Sequence, residues 1–226
     1  MISGAASGIG WATAQAAAAE GCRLLLADIE TEAARRRAAS LGGDCRAISL
    51  DVRRPEAWAG ALDEVSKREG LPDVLINNAG LAHTGRAEQL DAGEHRHMVE
   101  VNLLGVINGT TAFLPAMLGR GSGHIINIAS LASFVPMPGL ATYSATKHAV
   151  RAFTHSVALE QAASPVDFTV ICPGPVDTPM LARQIDDDMA ALSFADAAVP
   201  ASAIAEAVLR AMTGRPREVM VPAARG

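Results

Sequence analysis

The sequence predicts an α/β protein, a doubly wound parallel sheet with helices on both faces, folded as one domain over residues 1–226. Three observations carry that reading. Apolar runs of strand length alternate with helical stretches from end to end. Half of the chain is apolar but only 4% is aromatic, so Ala, Val, Leu and Ile must build the core, as they do in layered α/β proteins. A glycine-rich turn, Gly4-Ala5-Ala6-Ser7-Gly8-Ile9-Gly10, opens the first helix, and Asp28 closes the strand that follows it.

Taken in order, only Met1 and Ile2 precede the glycine turn, so the first strand is expected to be a truncated stub. Strands usually run about 5–6 residues, and a central stub leaves its neighbours short of partners. This points to a natural start upstream, or to a trimmed chain. Residues 11–20 form an alanine-rich helix, and 23–28, with three consecutive leucines, a strand ending at Asp28. Helix 30–41 carries Arg35-Arg36-Arg37, read as a solvated face, and strand 45–50 ends before Asp51-Val52. Helix 55–69 leads to strand 73–77, which stops at Asn77-Asn78. A long helix over 93–118 precedes strand 124–130, ending at Ser130, and helix 142–163 precedes strand 167–172, ending at Pro173-Gly174. A last helix follows Pro200, and 218–222 reads as the closing strand. Short connections between alternating elements require right-handed crossovers, and such sheets bind ligands at the carboxyl ends of their strands.

The formal charge of −5 and pI near 5.7 argue against a nucleic-acid or anionic-membrane surface. Cys22, Cys45 and Cys172 are odd in number, lack metal-ligand spacing and read as reduced thiols. No apolar run approaches the ~18–20 residues of a membrane span, and no basic segment marks a signal peptide, so a cytoplasmic protein is expected.

Glycines from Gly4 to Gly10 permit a tight turn and close approach of a pyrophosphate at a helix N-terminus, although a plain turn is an equal reading of the triplet alone. Asp28 lies 18 residues beyond Gly10, near the ~20-residue interval of a ribose-binding acid. A carboxylate there accepts from ribose hydroxyls and repels a 2′-phosphate. Ser7 is neutral, so NAD(H) is expected over NADP(H); a helix cap is the structural alternative for Asp28. Tyr143, the only tyrosine, precedes Lys147 by four residues, one helical turn. An ammonium there would lower the phenol's ordinary pKa of about 10 toward a value useful for moving protons near neutrality. Packing with a snorkelling lysine is the alternative.

These motifs resemble the short-chain dehydrogenase/reductase family. Ser3-Gly4 to Gly10 is similar to its cofactor loop, and Asn77-Asn78-Ala79-Gly80 matches its N-N-A-G motif. Pro173-Gly174-Pro175-Val176-Asp177-Thr178 resembles its nicotinamide-binding stretch. Ser130, 13 residues before Tyr143, and Asn102 match its catalytic serine and asparagine. The resemblance implies a Rossmann-like fold and NAD-linked interconversion of a secondary alcohol and a ketone. Tyr143, Lys147, Ser130 and Asn102 are then catalytic, with Asn102 holding a water relay. Gly4, Ser7, Gly8, Ile9, Gly10, Asp28, Asp51, Val52, Asn78, Ala79, Gly80, Pro173, Gly174, Val176 and Thr178 join Tyr143 and Lys147 around the cofactor, Asp51 and Val52 beside the adenine. The long helices holding Asn102 and Tyr143 would form a homodimer or homotetramer interface.

A substrate-covering segment is expected at about 180–200, and Met180, Leu181, Met189, Leu192 and Phe194, with Phe134, Met137 and Leu140, read equally as an apolar pocket or as core. His95 and His97, two apart on a helix, do not face each other, so no metal site is expected. His148 and His155 are assigned to surface or oligomer packing, and Asp186-Asp187-Asp188 to a solvated run or helix start. The alternatives to an enzyme are a non-catalytic NAD-binding sensor or scaffold, and a truncated chain too unstable to hold cofactor.

Overall fold

The computed structural model describes residues 1–68, 70–184, 188–194 and 197–222; Asp186 and Asp187 lie outside the described residues, as does Glu69 at the predicted helix end. In chain order the elements are β1 (Ile2–Ser3), α1 (Gly8–Ala19), β2 (Leu24–Asp28), α2 (Thr31–Leu41), β3 (Cys45–Ser49), α3 (Pro55–Arg68) and β4 (Val74–Asn77). Then come α4 (Ala92–Val99), a π turn (Glu100–Leu104), α5 (Gly105–Arg120), β5 (Gly123–Ile128) and a short 3-10 turn (Leu131–Ser133). The rest comprises α6 (Ala141–Glu160), β6 (Val166–Pro173), β7 (Val176–Asp177), α7 (Pro179–Ala182), a second 3-10 stretch (Asp188–Phe194), β8 (Val199–Pro200), α8 (Ala201–Gly214) and β9 (Glu218–Val221).

Seven strands form one all-parallel sheet in the order β3-β2-β1-β4-β5-β6-β9. Each inner strand is buried along nearly its whole length, as in a sheet covered on both faces. One face buries Leu25, Trp58, Leu75, Phe113 and Ile125 under α3 and α5; the other buries Ile2, Leu26, Ile76, Ile126 and Ile204 under α1 and α8. Trp58 meets Phe113 edge to face at 6.1 Å, and its indole N–H donates to the Val52 carbonyl at 3.0 Å.

β1 is the expected two-residue stub, and it occupies the centre of the sheet. Ile2 pairs with Leu26 on one side and with Ile76 on the other, and the Ile76 amide donates to the Met1 carbonyl at 2.9 Å. Side-chain bonds reinforce this short ladder. The Ser3 hydroxyl accepts from the amides of Asn78 and Ala79 at 3.0 and 3.2 Å, and the Asn78 amide group donates to the carbonyls of Ser3 and Gly4 at 2.9 and 3.2 Å. The approach is too close for a side chain: a Cβ on Gly4 would come within 2.8 Å of Ala79 Cα, and one on Gly10 within 2.2 Å of the Gly4 carbonyl oxygen.

The segments Ala92–Val99, Glu100–Leu104 and Gly105–Arg120 form one continuous 29-residue helix, started by a capping box between Asp91 and Glu94. Contrary to the expectation from the sequence, this helix is long and apolar enough to cross a membrane by length and composition. Its apolar residues are in use within the fold: Met98, Val106, Phe113 and Met117 are buried against the rest of the domain. The two-residue ladder between β7 and β8 was also not foreseen; it closes the base of the segment between Thr178 and Ala198.

At the opposite edge of the sheet from the strand carboxyl ends, His124 is buried beside Thr169. The Thr169 hydroxyl donates to the Pro216 carbonyl, so it accepts from His124 Nε2 at 2.8 Å, and Nδ1 is left without a partner among the described residues. Burial lowers the His124 pKa from 6.5 to about 4, against a smaller upward pull from Asp167. The unfolded chain therefore binds a proton near pH 6.5 that the folded protein refuses until about pH 4. This stability is complete above pH 6.5 and is lost as pH falls toward 4, by up to ~3 kcal/mol. Urea midpoints measured at pH 7 and 4.5 will show the loss in the native protein and a reduced loss in His124→Gln.

Candidate active site

Because all seven strands run parallel, their carboxyl ends line one edge, and a cavity of about 1030 Å³ extends along it. At one end the cavity meets the glycine turn through Gly4, Ser7, Gly8 and Ile9. Ser7 occupies the N-cap of α1 in extended conformation but makes no side-chain capping bond, so the first turn of the helix keeps open donors toward the cavity. Gly8 has φ +52°, and a Cβ there would project to within 3.4 Å of Thr178 across the opening. A cradle of bare backbone at a helix N-terminus suits a phosphate-bearing group.

Asp28, 9% exposed, reaches the cavity at the end of β2. Oδ2 accepts from the Ala6 amide and Oδ1 from the Glu30 amide, both at 2.9 Å. The carboxylate thus shapes the glycine turn and the start of α2, and retains lone pairs for a ligand. Arg37 is not merely solvated: its guanidinium lies 4.4 Å from the centre of the Trp11 ring, and Nε donates to the Ala6 carbonyl at 3.3 Å. Asp51 and Val52 also line the cavity. Arg53 grips the Asp51 carboxylate at 2.8 and 2.6 Å and holds its pKa below the ordinary value.

At the other end, Ser130 follows β5, and Tyr143 and Lys147 rise from the first turns of α6. Tyr143 and Ser130 line the same part of the wall, close enough for Ser130 to pull the phenol's pKa down. Ser130 Oγ accepts from the Ala132 amide at 3.1 Å, fixing the turn that carries it. Lys147 is 4% exposed; Nζ donates to the Ile128 carbonyl at 2.9 Å and lies 5.7 Å from the centre of the Tyr143 ring. Burial raises the Tyr143 pKa, and Ser130 offsets part of the rise. The expected depression of the phenol's pKa by Lys147 is therefore absent from this arrangement, where removal of the phenol from water dominates. Burial also lowers the Lys147 pKa to about 8.

Asn78, Ala79 and Gly80 line the cavity after β4, and Pro173, Gly174, Val176 and Thr178 line it after β6. Two predicted site residues lie behind the wall. Gly10 packs α1 onto Gly4 and Asn78. Asn102, fully buried in the π turn, holds both backbone groups of Leu81 at 2.8 Å and donates to the Thr146 hydroxyl at 3.3 Å. Among the described residues the sequence reading missed several wall positions, notably Val101, His97 and Gln184. His97 and His95 do diverge as expected: His97 faces His83 with ring centres 5.8 Å apart, and His95 Nδ1 is 2.6 Å from the Thr142 hydroxyl. Of the apolar residues proposed for a pocket, Phe134, Met137, Leu140, Met180 and Leu181 line the cavity. The Leu192 side chain lies outside what is described. His155 and Arg151 bind Glu218, tying α6 to β9, and Arg151 stacks on Phe134 at 4.3 Å.

The family model described as short chain dehydrogenase matches residues 1–189. Among curated relatives, the chain is 37% identical over 185 residues to the probable oxidoreductase EphD of Mycobacterium tuberculosis; the match covers 80% of this chain and only 31% of that protein. Among solved structures, it superposes on a short-chain dehydrogenase/reductase of Burkholderia phymatum in complex with NAD, with TM-score 0.88, 27% identity, and coverage of 97% and 86% of the two chains. An alcohol dehydrogenase of Thermococcus sibiricus complexed with 5-hydroxy-NADP gives TM-score 0.84, 32% identity, and coverage of 97% and 93%.

The Lys147 geometry has a measurable cost. The unfolded chain holds this proton up to about 10.5 and the folded protein only to about 8, so the penalty is complete below pH 8 and fades as pH rises through that interval. Lys147→Met should raise stability at pH 7 by up to ~3 kcal/mol. Thermal melts at pH 7 and pH 10 will show a gain that shrinks at the higher pH.

Proposed function

The chain belongs to the short-chain dehydrogenase family, and on that premise we propose that it is an NAD(H)-dependent oxidoreductase interconverting a secondary alcohol and its ketone. The observation that carries this reading is the grouping of Ser130, Tyr143 and the buried Lys147 on the wall of a cavity that continues to Asp28. The nicotinamide, when bound, supplies or accepts the hydride.

The protein's own work is to orient the substrate oxygen and move its proton. Ser130 donates a hydrogen bond to that oxygen as charge develops, and Tyr143 takes the proton in oxidation or gives it in reduction. In the unliganded site the phenol is too weak an acid to be ionised at pH 7. The ammonium of Lys147 and the N-terminal end of α6 provide positive potential near it, and a cationic oxidised cofactor adds more. Lys147 also suits the nicotinamide ribose. Asn102 serves by bracing Leu81 and, by resemblance, by holding a water that carries the proton outward.

NAD(H) is favoured over NADP(H) by the Asp28 carboxylate at the ribose end, with Arg37 engaged on Trp11 and Ala6 rather than offered to a phosphate. The two ligand-bound relatives differ in cofactor, so this choice rests on the local charge. The segment at about 180–200 covers the substrate, a mainly apolar small molecule. The outer faces of the long helices, with Leu104 41% and Leu159 63% exposed, suit assembly into a homodimer or homotetramer.

NADH titration by fluorescence, followed by a screen of NAD-linked oxidation of secondary alcohols, tests the reading. Tyr143→Phe should bind NADH with affinity close to that of the native protein and lose ~100- to 10,000-fold in kcat. Binding without any turnover by the native protein would instead support an NAD-binding sensor. Oxidation should accelerate as pH rises and ketone reduction should slow, because one needs the phenolate and the other the phenol. A second variant, Asp28→Ala, should shift the kcat/KM ratio toward NADP, and a native preference for NADPH would overturn the cofactor assignment.

A further inference from the structure

Five buried side-chain polar atoms lack a hydrogen-bond partner among the described residues: Thr13 Oγ1, Asn77 Oδ1, His83 Nε2, His124 Nδ1 and Gln184 Oε1. Only the last belongs to a residue lining the cavity. Gln184 follows α7 by two residues, with its backbone amide bound to the Leu181 carbonyl at 2.9 Å. The residue is 7% exposed, and its Oε1 has no hydrogen-bond partner among the described residues. Phe134, Met137, Leu140, Met180 and Leu181 give the same cavity a substantial apolar lining. An unpaired buried amide costs ~1–3 kcal/mol, which a leucine or methionine in the same place would avoid. Ser193, 9% exposed, brings a second polar group to the same cavity.

We propose that Gln184 binds a second oxygen of the substrate, remote from the carbinol, so that the preferred substrates are apolar molecules carrying an additional hydroxyl. The inference rests on the alcohol–ketone reading above and deepens it. The reacting oxygen is held by Ser130 and Tyr143, which leaves the Gln184 amide for a different atom of the same molecule. The unpaired atom is the carboxamide oxygen, an acceptor, so a hydroxyl that donates to it is the group that fits. A ligand that lacks this oxygen must bind with the amide still unpaired, and selectivity follows from that penalty.

The test uses matched alcohols of two lengths: cyclohexanol with cyclohexane-1,4-diol, and bicyclohexyl-4-ol with bicyclohexyl-4,4′-diol. kcat/KM with NAD and dissociation constants in the presence of NADH are measured for the native protein, Gln184→Met and Gln184→Leu, with thermal melts confirming that each variant is folded. The native protein should prefer the diol by ~10- to 100-fold at one length or the other. Gln184→Met should bring that ratio to within about threefold, allowing for the two equivalent ends of a diol. Native preference at neither length, or a preference that survives in both variants, overturns the proposal. Preferential binding that depends on Gln184 without turnover would remove the catalytic reading and leave this assignment standing. Turnover with an unmoved ratio would overturn the assignment alone, and neither binding nor turnover would overturn both.

Discussion

The structure depends on a close contact between two strand ends, where β1 and β4 deliver Ser3-Gly4 and Asn78-Ala79 to the same point. The Ser3 hydroxyl receives two amides, Asn78 returns two bonds to backbone carbonyls, and Gly4 and Gly10 leave no room for a side chain between them. Four bonds over a strand of only two residues hold the middle of the sheet together. They also set where α1 begins, and hence where its open N-terminal donors point. The glycine turn is therefore a structural joint, and the cofactor role proposed for it would use the same atoms.

A second polar chain lies beneath the site. Asn77 donates to Asn127 at 2.9 Å, Asn127 to the Thr154 hydroxyl at 2.9 Å, and Thr154 to the Val150 carbonyl at 2.7 Å. It links β4 and β5 to α6, the helix that bears Tyr143 and Lys147. Buried networks of this kind fix one arrangement because breaking any member strands the others. The network gives a fixed base to the helix that carries the Tyr143 phenol and the Lys147 ammonium, the latter held on the Ile128 carbonyl.

The alternation of strands and helices was legible because the apolar runs are long and their ends are marked by Asp28, Asn77, Ser130 and Pro173. Spacing also brought Tyr143 and Lys147 onto one helical face. What spacing could not show was which side of the wall a residue occupies, so Gly10 and Asn102 read like cavity residues although they pack behind it. The β7–β8 ladder was too short for any periodicity. The membrane-length helix was hidden because polar residues interrupt its runs, while helicity averages them over both faces. Arg37 looked solvated because its partner, Trp11, lies 26 positions away in sequence. Gln184 gave no signal at all: a lone glutamine acquires meaning only when burial and the absence of partners are known together.

The chain contains a single tyrosine among its 226 residues, and that tyrosine lies against the cavity. Every phenolic signal from this protein therefore has one source. Ultraviolet difference absorbance of tyrosinate, or a single resonance after incorporation of fluorotyrosine, would report the ionisation and surroundings of Tyr143 without a background to subtract. The two tryptophans, Trp11 and Trp58, absorb nearby but do not titrate. An arrangement shaped by burial thus comes with its own optical label, native to the sequence.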